Sequence, residues 1–189
     1  MKFHHHSHQS GASLIEVLVA ILLLSFGMLA LGAMLSYAVQ APKLSNNRAM
    51  ASMLAAGHIE RIRANPEGFA TDAYTSALSY DGTFTFTPTN PALADCTHPD
   101  CTPTSLATMD NAATNRAVRG ELPAGGMIMK CDTPTTCTHD SYGNLWIVWQ
   151  EPSTMASLNP TSSDNCPSEV TDTYTSPAPR CLYIRFKIQ

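Results

Sequence analysis

Residues 11–18 read GASLIEVL, and they separate a short polar stretch from a long apolar one. Residues 1–10 read MKFHHHSHQS and show no hydrophobic periodicity. The run 17–39 contains no formally charged residue, and as a helix it would measure roughly 35 Å, enough to cross a bilayer. A secretory signal peptide has a shorter apolar core followed by a cleavage site of small residues. We therefore expect the apolar segment to be retained in the mature protein.

Glu16 is a carboxylate near the start of this apolar run. An ionised carboxylate in hydrocarbon costs about 2.5–3.5 kcal/mol on insertion scales, so it needs a partner. Cleavage after Gly11 would free an α-amino group on Ala12, one helical turn from Glu16 or on a neighbouring subunit. In the alternative interpretation, Glu16 lies at the level of the lipid headgroups and is solvated there. The position of the charge alone does not decide between the two.

The apolar run continues into a one-sided helical pattern. Gly27, Gly32 and Pro42 weaken a helix locally, and we expect a kink or partial melting near the proline. Beyond it, apolar residues recur at steps of three and four, namely Leu44, Met50, Met53, Leu54, Ala55, His58, Ile59 and Ile62. The pattern predicts one long helix over about 12–64 that stops at Asn65, because Pro66 disfavours helix in the residue before it. His58 is expected to pack beside a sheet rather than to bind a ligand.

The remainder of the chain predicts short strands and one further helix. Strands are expected at 83–87, 126–130, 144–150 and 182–188, and a helix at 105–122. The run 144–150 is apolar on both faces, which is typical of a central strand. In the last strand one face is apolar, formed by Leu182, Ile184, Phe186 and Ile188. These patterns predict an α+β fold, with the long helix packed on an antiparallel sheet.

All six cysteines follow residue 95. An even number confined to the loop-rich part favours disulfide bonds formed in an oxidising compartment. The sequence does not fix the pairing, and the pairs we expect are Cys96–Cys101, Cys131–Cys137 and Cys166–Cys181. A zinc site with His98 and His139 is the alternative, but zinc motifs have tighter spacing in compact knuckles. We expect no metal and no cofactor.

The composition argues against two classes of function. With 14% charged residues and a net charge of −4, the chain has no basic patch that would bind nucleic acid. It also contains no nucleophile elbow, zinc-protease motif, P-loop or dinucleotide-binding glycine pattern. We therefore expect a protein that is not an enzyme.

Residues 11–20, GASLIEVLVA, resemble the N-terminal signal of type IV prepilins and type II secretion pseudopilins. In that family a prepilin peptidase cuts after the glycine and methylates the new N-terminus, and the glutamate supports subunit addition. The resemblance implies that Gly11 is the cleavage glycine, Ala12 the methylated residue and Glu16 the charge partner in assembly. Two features depart from the family: major pilins commonly have phenylalanine at the position of Ala12, and Lys2 is the only unambiguous positive charge of the leader.

A second resemblance, to the PilV family of minor pilins, covers three later motifs. They are AAGHIERIRANP at 55–66, LPAGG at 122–126 and WIVW at 146–149, and they occur in the family's order. The resemblance implies a subunit that helps to initiate type IV pilus assembly and supports motility or adhesion. Its partners would be prepilin peptidase, other minor pilins, the major pilin and the inner-membrane assembly platform. The alternatives are a minor pseudopilin of type II secretion and a membrane-anchored periplasmic binding domain outside any filament.

Together these features predict four segments. Residues 1–11 form a prepilin leader, and 12–41 form a transmembrane and filament-core helix. Residues 42–66 continue this helix in amphipathic form, and 67–189 form a disulfide-containing, β-rich globular domain. The expected location is the bacterial inner membrane, with one span and the globular domain in the periplasm, and then the pilus at the cell surface.

Overall fold

A computed structural model of the chain describes residues 13–84, 96, 99–132, 136–151, 164–175 and 177–188. The chain divides into two compact units, Met1–Lys43 and Leu44–Gln189. The elements in chain order are α1 (Leu14–Ala64), α2 (Pro66–Ala70), α3 (Pro103–Glu121), β1 (Gly126–Cys131), β2 (Tyr142–Trp149), α4 (Ser168–Thr171) and β3 (Arg180–Lys187). A long N-terminal helix followed by an antiparallel sheet confirms the predicted α+β class.

Helix α1 has 51 residues, and local sequence explains both of its ends. At its start, the carbonyl of Ser13 accepts the backbone N–H groups of Glu16 and Val17, at 2.9 and 3.2 Å. At its end, Asn65 caps α2 and Pro66 occupies the first turn of α2, so α1 stops where it was predicted to stop. Of the kink or partial melting expected near Pro42, the melting is not observed, because the helix continues through that residue. A proline inside a helix removes one backbone donor and leaves most flanking hydrogen bonds intact.

Within the first unit, the side chains of α1 are exposed along its apolar run. The most apolar window of the helix has a mean hydropathy of 2.6 and none of it is buried, so α1 is long and apolar enough to cross a membrane by length and composition. Within the second unit, the buried residues of α1 are Ala51, Ala55, His58, Ile59 and Ile62. Met53 was predicted in this stripe but is 61% exposed. Met53 lies two residues after the buried Ala51. Because an α-helix advances about 100° per residue, its side chain points roughly 200° away, on the opposite face of the helix.

The sheet is antiparallel with strand order β1-β2-β3, so β2 is the central strand, as predicted. On its inner face the strands bury Met127, Met129, Leu145, Ile147, Trp149 and Phe186. These side chains form one core cluster with the buried face of α1 and with Phe69 and Tyr74, which follow α1 in the chain. The outer edge of β1 is covered by the preceding segment, because Ser76 N–H donates to Met129 O at 3.1 Å and Ser79 N–H to Met127 O at 3.0 Å.

The strand predicted at 83–87 is wrong for its described residues, and 85–87 lie outside the described part. Thr83 and Phe84 belong to no strand. The amide and the hydroxyl of Thr83 both donate to the carboxylate of Asp81, at 2.9 and 2.8 Å. This local side-chain hydrogen bonding satisfies the backbone in a turn and competes with strand pairing.

The predicted helix at 105–122 is observed as α3. It begins at Pro103 because Thr102 and Ser105 form a capping box, in which each side chain accepts the backbone N–H of the other residue. Three disulfide bonds join Cys96 to Cys101, Cys131 to Cys137 and Cys166 to Cys181, which are the three pairs expected from the sequence. The cysteines are therefore not available as zinc ligands.

Candidate assembly segment and its buried supports

The expected processing junction lies at the start of α1. Gly11 and Ala12 are outside the described residues, whereas Glu16 is in the first helical turn and is exposed. No cation of the described part of the chain forms an ion pair with the Glu16 carboxylate. An acid in the first turn is favourably placed with respect to the helix dipole, which contributes a few tenths of a kcal/mol at exposed sites.

The segment 14–39 presents apolar side chains around α1. Its exposed large side chains are Leu14, Ile15, Val17, Leu18, Val19, Ile21, Leu22, Leu23, Leu24, Phe26, Met28, Leu29, Leu31, Met34, Leu35, Tyr37 and Val39. The polar side chain of Ser25 donates to Ile21 O at 2.7 Å, one turn earlier in the same helix. Because its backbone and this hydroxyl are satisfied within the helix, the segment suits a bilayer or a bundle of similar helices.

In the second unit, a polar seam that is buried except for the exposed Arg61 joins α1 to α3. We define the α1–α3 seam as His58, Arg61, Asn65, Tyr74, Asp110 and Thr114. His58 Nδ1 lies 2.9 Å from the hydroxyl oxygen of Thr114, which also accepts a hydrogen bond from Arg61 at 3.3 Å. The ring of His58 lies edge-on to that of Tyr74, with centroids 6.0 Å apart. His58 was predicted to pack beside the sheet; its hydrogen-bond contact is with Thr114 of α3, and its ring contact is with Tyr74.

The same seam fixes the C-terminal end of α1. The Tyr74 hydroxyl donates to Asp110 Oδ2 at 2.6 Å, and Asn65 Nδ2 donates to Tyr74 Oη at 3.2 Å and to Pro103 O at 2.8 Å. Burial, followed by the hydrogen bond to Asp110, raises the pKa of Tyr74 well above its usual range. Because these contacts connect α1, α2 and α3, they orient the helix end that the PilV resemblance singled out.

His58 is held in its neutral form. Its side chain is 1% exposed, and burial together with the nearby charge of Arg61 lowers its pKa to about 4. Nε2 of His58 has no hydrogen-bond partner among the described residues. Protonation would therefore place a buried cation beside Arg61.

A second buried cluster surrounds Arg180, at the start of β3. The residue is 1% exposed, and its guanidinium contacts Asp164 at 2.8 and 3.1 Å and Glu151 at 3.7 Å. Arg48 of α1 also reaches Asp164, at 3.3 Å. We call Arg48, Glu151, Asp164 and Arg180 the Arg180 cluster. Since Glu151 and Asp164 flank residues 152–163, one buried cation holds both ends of that segment.

The sequence identified some of these residues and missed others. It identified Glu16, the six cysteines and the buried position of His58, but it gave no indication of the Arg180 cluster. Asn65 followed by Pro66, and Thr102 followed by Pro103, are helix-start signals that would have located α2 and the start of α3. No local signal in the sequence pairs Arg180 with Asp164.

Comparison with known families produces two matches. Residues 6–32 match the family model described as prokaryotic N-terminal methylation motif. Residues 33–112 match the model described as Tt1218-like, type IV pilin Tt1218, which covers less than half of the chain. No curated protein and no solved structure matches the chain.

The buried histidine predicts a dependence of stability on pH. The pKa of His58 is about 4 in the folded state against an ordinary value of 6.5, so between these values the unfolded chain binds the proton more readily. The free energy of unfolding should therefore fall as the pH drops from about 6.5 to 4, by on the order of 3 kcal/mol for this group. Urea unfolding at a series of pH values measures the slope.

In His58→Gln this part of the slope should disappear. His139→Gln is the matched control, because His139 has an exposed side chain whose only described ion pair is a 3.8 Å contact with Glu67. The pH dependence of the control should equal that of the parent chain. An unchanged slope in His58→Gln would contradict the assignment of this titration to the seam.

The Arg180 cluster predicts a large loss of stability when its cation is removed. Arg180→Met removes the buried cation that contacts Asp164 and Glu151 and leaves Asp164 paired with the more exposed Arg48, so it should lower the free energy of unfolding by about 3–5 kcal/mol. Arg63→Met is the control, because Arg63 pairs with Glu60 at the surface, where ion pairs contribute little. Chemical denaturation measures both variants. A small and equal effect of the two substitutions would show that the cluster does not stabilise the fold.

Proposed function

We propose that this chain, whose two family matches support a pilin or pseudopilin subunit with an N-terminal methylation motif, is a minor pilin of the PilV type. In this role it helps to initiate type IV pilus assembly and supports motility or adhesion. The type IV pilin family consists of structural subunits, not enzymes. The observation that carries the proposal is the methylation motif over 6–32, which overlaps the start of an exposed apolar helix segment.

The proposed mechanism begins with removal of residues 1–11. Prepilin peptidase cleaves after Gly11 on the cytoplasmic side of the inner membrane and methylates the amine of Ala12. The helix over 12–41 then holds the subunit in the membrane, with the globular domain in the periplasm. During assembly the apolar segment moves laterally from the bilayer into a bundle of similar helices in the filament.

Glu16 has a specific role in this transfer. The carboxylate has no cationic partner among the described residues of its own chain, and its burial in an apolar bundle would be costly. Cleavage creates a cation on Ala12, either in the same subunit or in its neighbour. Pairing of that amine with Glu16 offsets the cost of burial and favours addition of the subunit in the correct register.

The three motifs that carry the resemblance to the PilV family all lie in the second unit. The ERIRAN motif at 60–65 ends α1 at the asparagine that caps α2, and WIVW at 146–149 lies in the central strand. LPAGG at 122–126 connects α3 to β1. A minor pseudopilin of type II secretion remains the second candidate, because the methylation motif is common to both groups. The partners proposed are other minor pilins, the major pilin and the inner-membrane assembly platform.

Substitution of Glu16 tests the role in assembly. Glu16→Ala removes the charge partner but keeps the helix apolar, so the protein should insert in the membrane at normal levels and enter filaments poorly. Immunoblots of membranes and of sheared pili, with counts of pili per cell, measure the two steps separately. Glu60→Ala is the matched control, since it removes an exposed acid from the same helix.

Normal incorporation of Glu16→Ala and unchanged pilus number would contradict the proposed role. A host strain without this protein distinguishes the two filament systems. Loss of pili with normal secretion supports the minor pilin, whereas loss of secretion with normal pili supports the pseudopilin.

A further inference from the structure

The carboxylate of Asp164 receives contacts from both β3 and α1. Its side chain is 4% exposed and accepts hydrogen bonds from the guanidinium of Arg180 at 3.1 Å and from the N–H of Cys181 at 3.2 Å. Arg48 of α1 also donates to it, at 3.3 Å. Among the described residues, Arg48 is the first of α1 within the second unit to form an ion pair. Asp164 therefore connects the last strand to the helix.

The segment that carries Asp164 is tied to β3 by a disulfide bond. Residues 164–167 belong to no helix or strand. Cys166, two residues after Asp164, is bonded to Cys181, and the Cα atoms of the two cysteines are 5.3 Å apart. Two residues of chain span at most about 7 Å. The disulfide therefore keeps the Asp164 carboxylate close to the amide of Cys181 and to the neighbouring Arg180.

When the disulfide is open, the position of Asp164 depends on non-covalent contacts. Its burial is then offset by Arg180 and Arg48 only while the three groups stay in contact. The side chain of Arg48 is 44% exposed, so water competes for its pair with Asp164. Opening the bond also releases a separation of 15 residues, whose ordering costs conformational entropy. The contact between Arg48 and Asp164 is therefore the one that depends most on the disulfide.

Cys166 is the sulfur of this pair that a thiol can reach. Cys181 is 5% exposed, whereas Cys166 is half-buried and lines a cavity of about 230 Å³ together with Tyr174 and Pro179. A thiolate of a dithiol attacks Cys166 Sγ, and the Cys181 thiolate leaves and takes up a proton. The second thiolate of the reductant then displaces Cys166, which is also protonated. The protein gains two electrons and two protons, and the reductant departs as a disulfide.

We propose that the Cys166–Cys181 disulfide is a redox-controlled latch that joins β3 to α1 through Asp164. In the oxidised chain, Asp164 lies between Arg180 and Arg48. In the chain reduced by a dithiol, the segment around Asp164 leaves Arg48 and the amide of Cys181, while β3 stays paired with β2. The latch goes beyond the proposed function, since it acts on contacts within this chain and would operate equally in a pilus subunit, a pseudopilin or an anchored domain.

The first test measures how readily each disulfide of the full-length chain is reduced in detergent micelles. Graded mixtures of reduced and oxidised dithiothreitol, followed by alkylation and peptide mass spectrometry, give the reduced fraction of each pair. Because coupling between two sites is reciprocal, Arg48→Met should raise the equilibrium constant for reduction of Cys166–Cys181 about three- to fivefold. Arg63→Met, the matched control on the same helix, should leave it unchanged. Cys96–Cys101 and Cys131–Cys137 are internal references and should not shift in either variant.

The second test follows the amide of residue 181 by hydrogen exchange. This amide donates to Asp164 and so points away from β2, whereas the amide of Leu182 points towards β2. In the double variant Cys166→Ala/Cys181→Ala, the protection factor at residue 181 should fall on the order of tenfold, with Leu182 unchanged. Cys96→Ala/Cys101→Ala is the matched control, because it removes a different disulfide and should keep residue 181 protected.

Three results would overturn the latch. One is an unchanged reduction equilibrium of Cys166–Cys181 in Arg48→Met. Another is a parallel shift of all three disulfides in that variant, which would show a general loss of stability. The third is unchanged protection at residue 181 in the chain without this disulfide, which would show that the charges alone hold Asp164. If the double alanine variant does not fold, the reduction equilibria decide, since they use chains with all six cysteines.

Discussion

The structure depends on one constraint: the single helix α1 must suit two different environments, one along its apolar first part and another along its amphipathic second part. In the second unit, Ala51, Ala55 and Ile62 bury one face of the helix in a core with the sheet. Over 14–39, by contrast, the large apolar side chains are exposed. Burial of each Val, Leu, Ile or Phe side chain is worth about 1.5–3 kcal/mol. Water is therefore an unfavourable solvent for this segment, and a bilayer or a bundle of like helices is a favourable one.

In the second unit, buried polar contacts as well as apolar packing hold its part of α1 in place. The α1–α3 seam fixes the helix end through Asn65, Tyr74 and Asp110, and Arg48 connects the helix to the Arg180 cluster. When one partner of such a contact is lost, the other is left buried and unsatisfied, and the folded state is destabilised. Arrangements that separate the partners are therefore disfavoured. The disulfide bonds restrict the loops that connect the remaining elements. In a pilus subunit, this anchoring would hold the globular domain in a fixed relation to its own part of the helix.

Much of the fold was predictable, because several of its elements follow from local hydrophobic periodicity and from helix-breaking residues alone. The end of α1 before Pro66, the central position of β2 and the α3 segment all belong to this group. The apolar stripe was misplaced at Met53 because several apolar residues share this stretch, and only packing selects the buried face. The Arg180 cluster was not predictable, since tertiary folding brings its members together from α1, from the residue that follows Gln150 after β2, from the segment before α4 and from β3.

The candidate functional residues show the same division between what the local sequence predicts and what only the tertiary fold determines. The motif at 11–16 and the uncharged run after it are local, so the sequence located them and the family matches agree with the type of subunit. The contacts of His58 are tertiary: a histidine on an apolar helix face indicates burial, but its pairing with Thr114 depends on where α3 packs.

In the proposed pathway, the apolar helix segment becomes the processed N-terminus of a filament subunit. Mass spectrometry of the N-terminal peptide, from protein purified out of its own host, tests this processing. The expected result is a chain that begins at Ala12 with a methylated amine. An intact Met1, or a cut beyond residue 35 that removes the apolar segment, would contradict it.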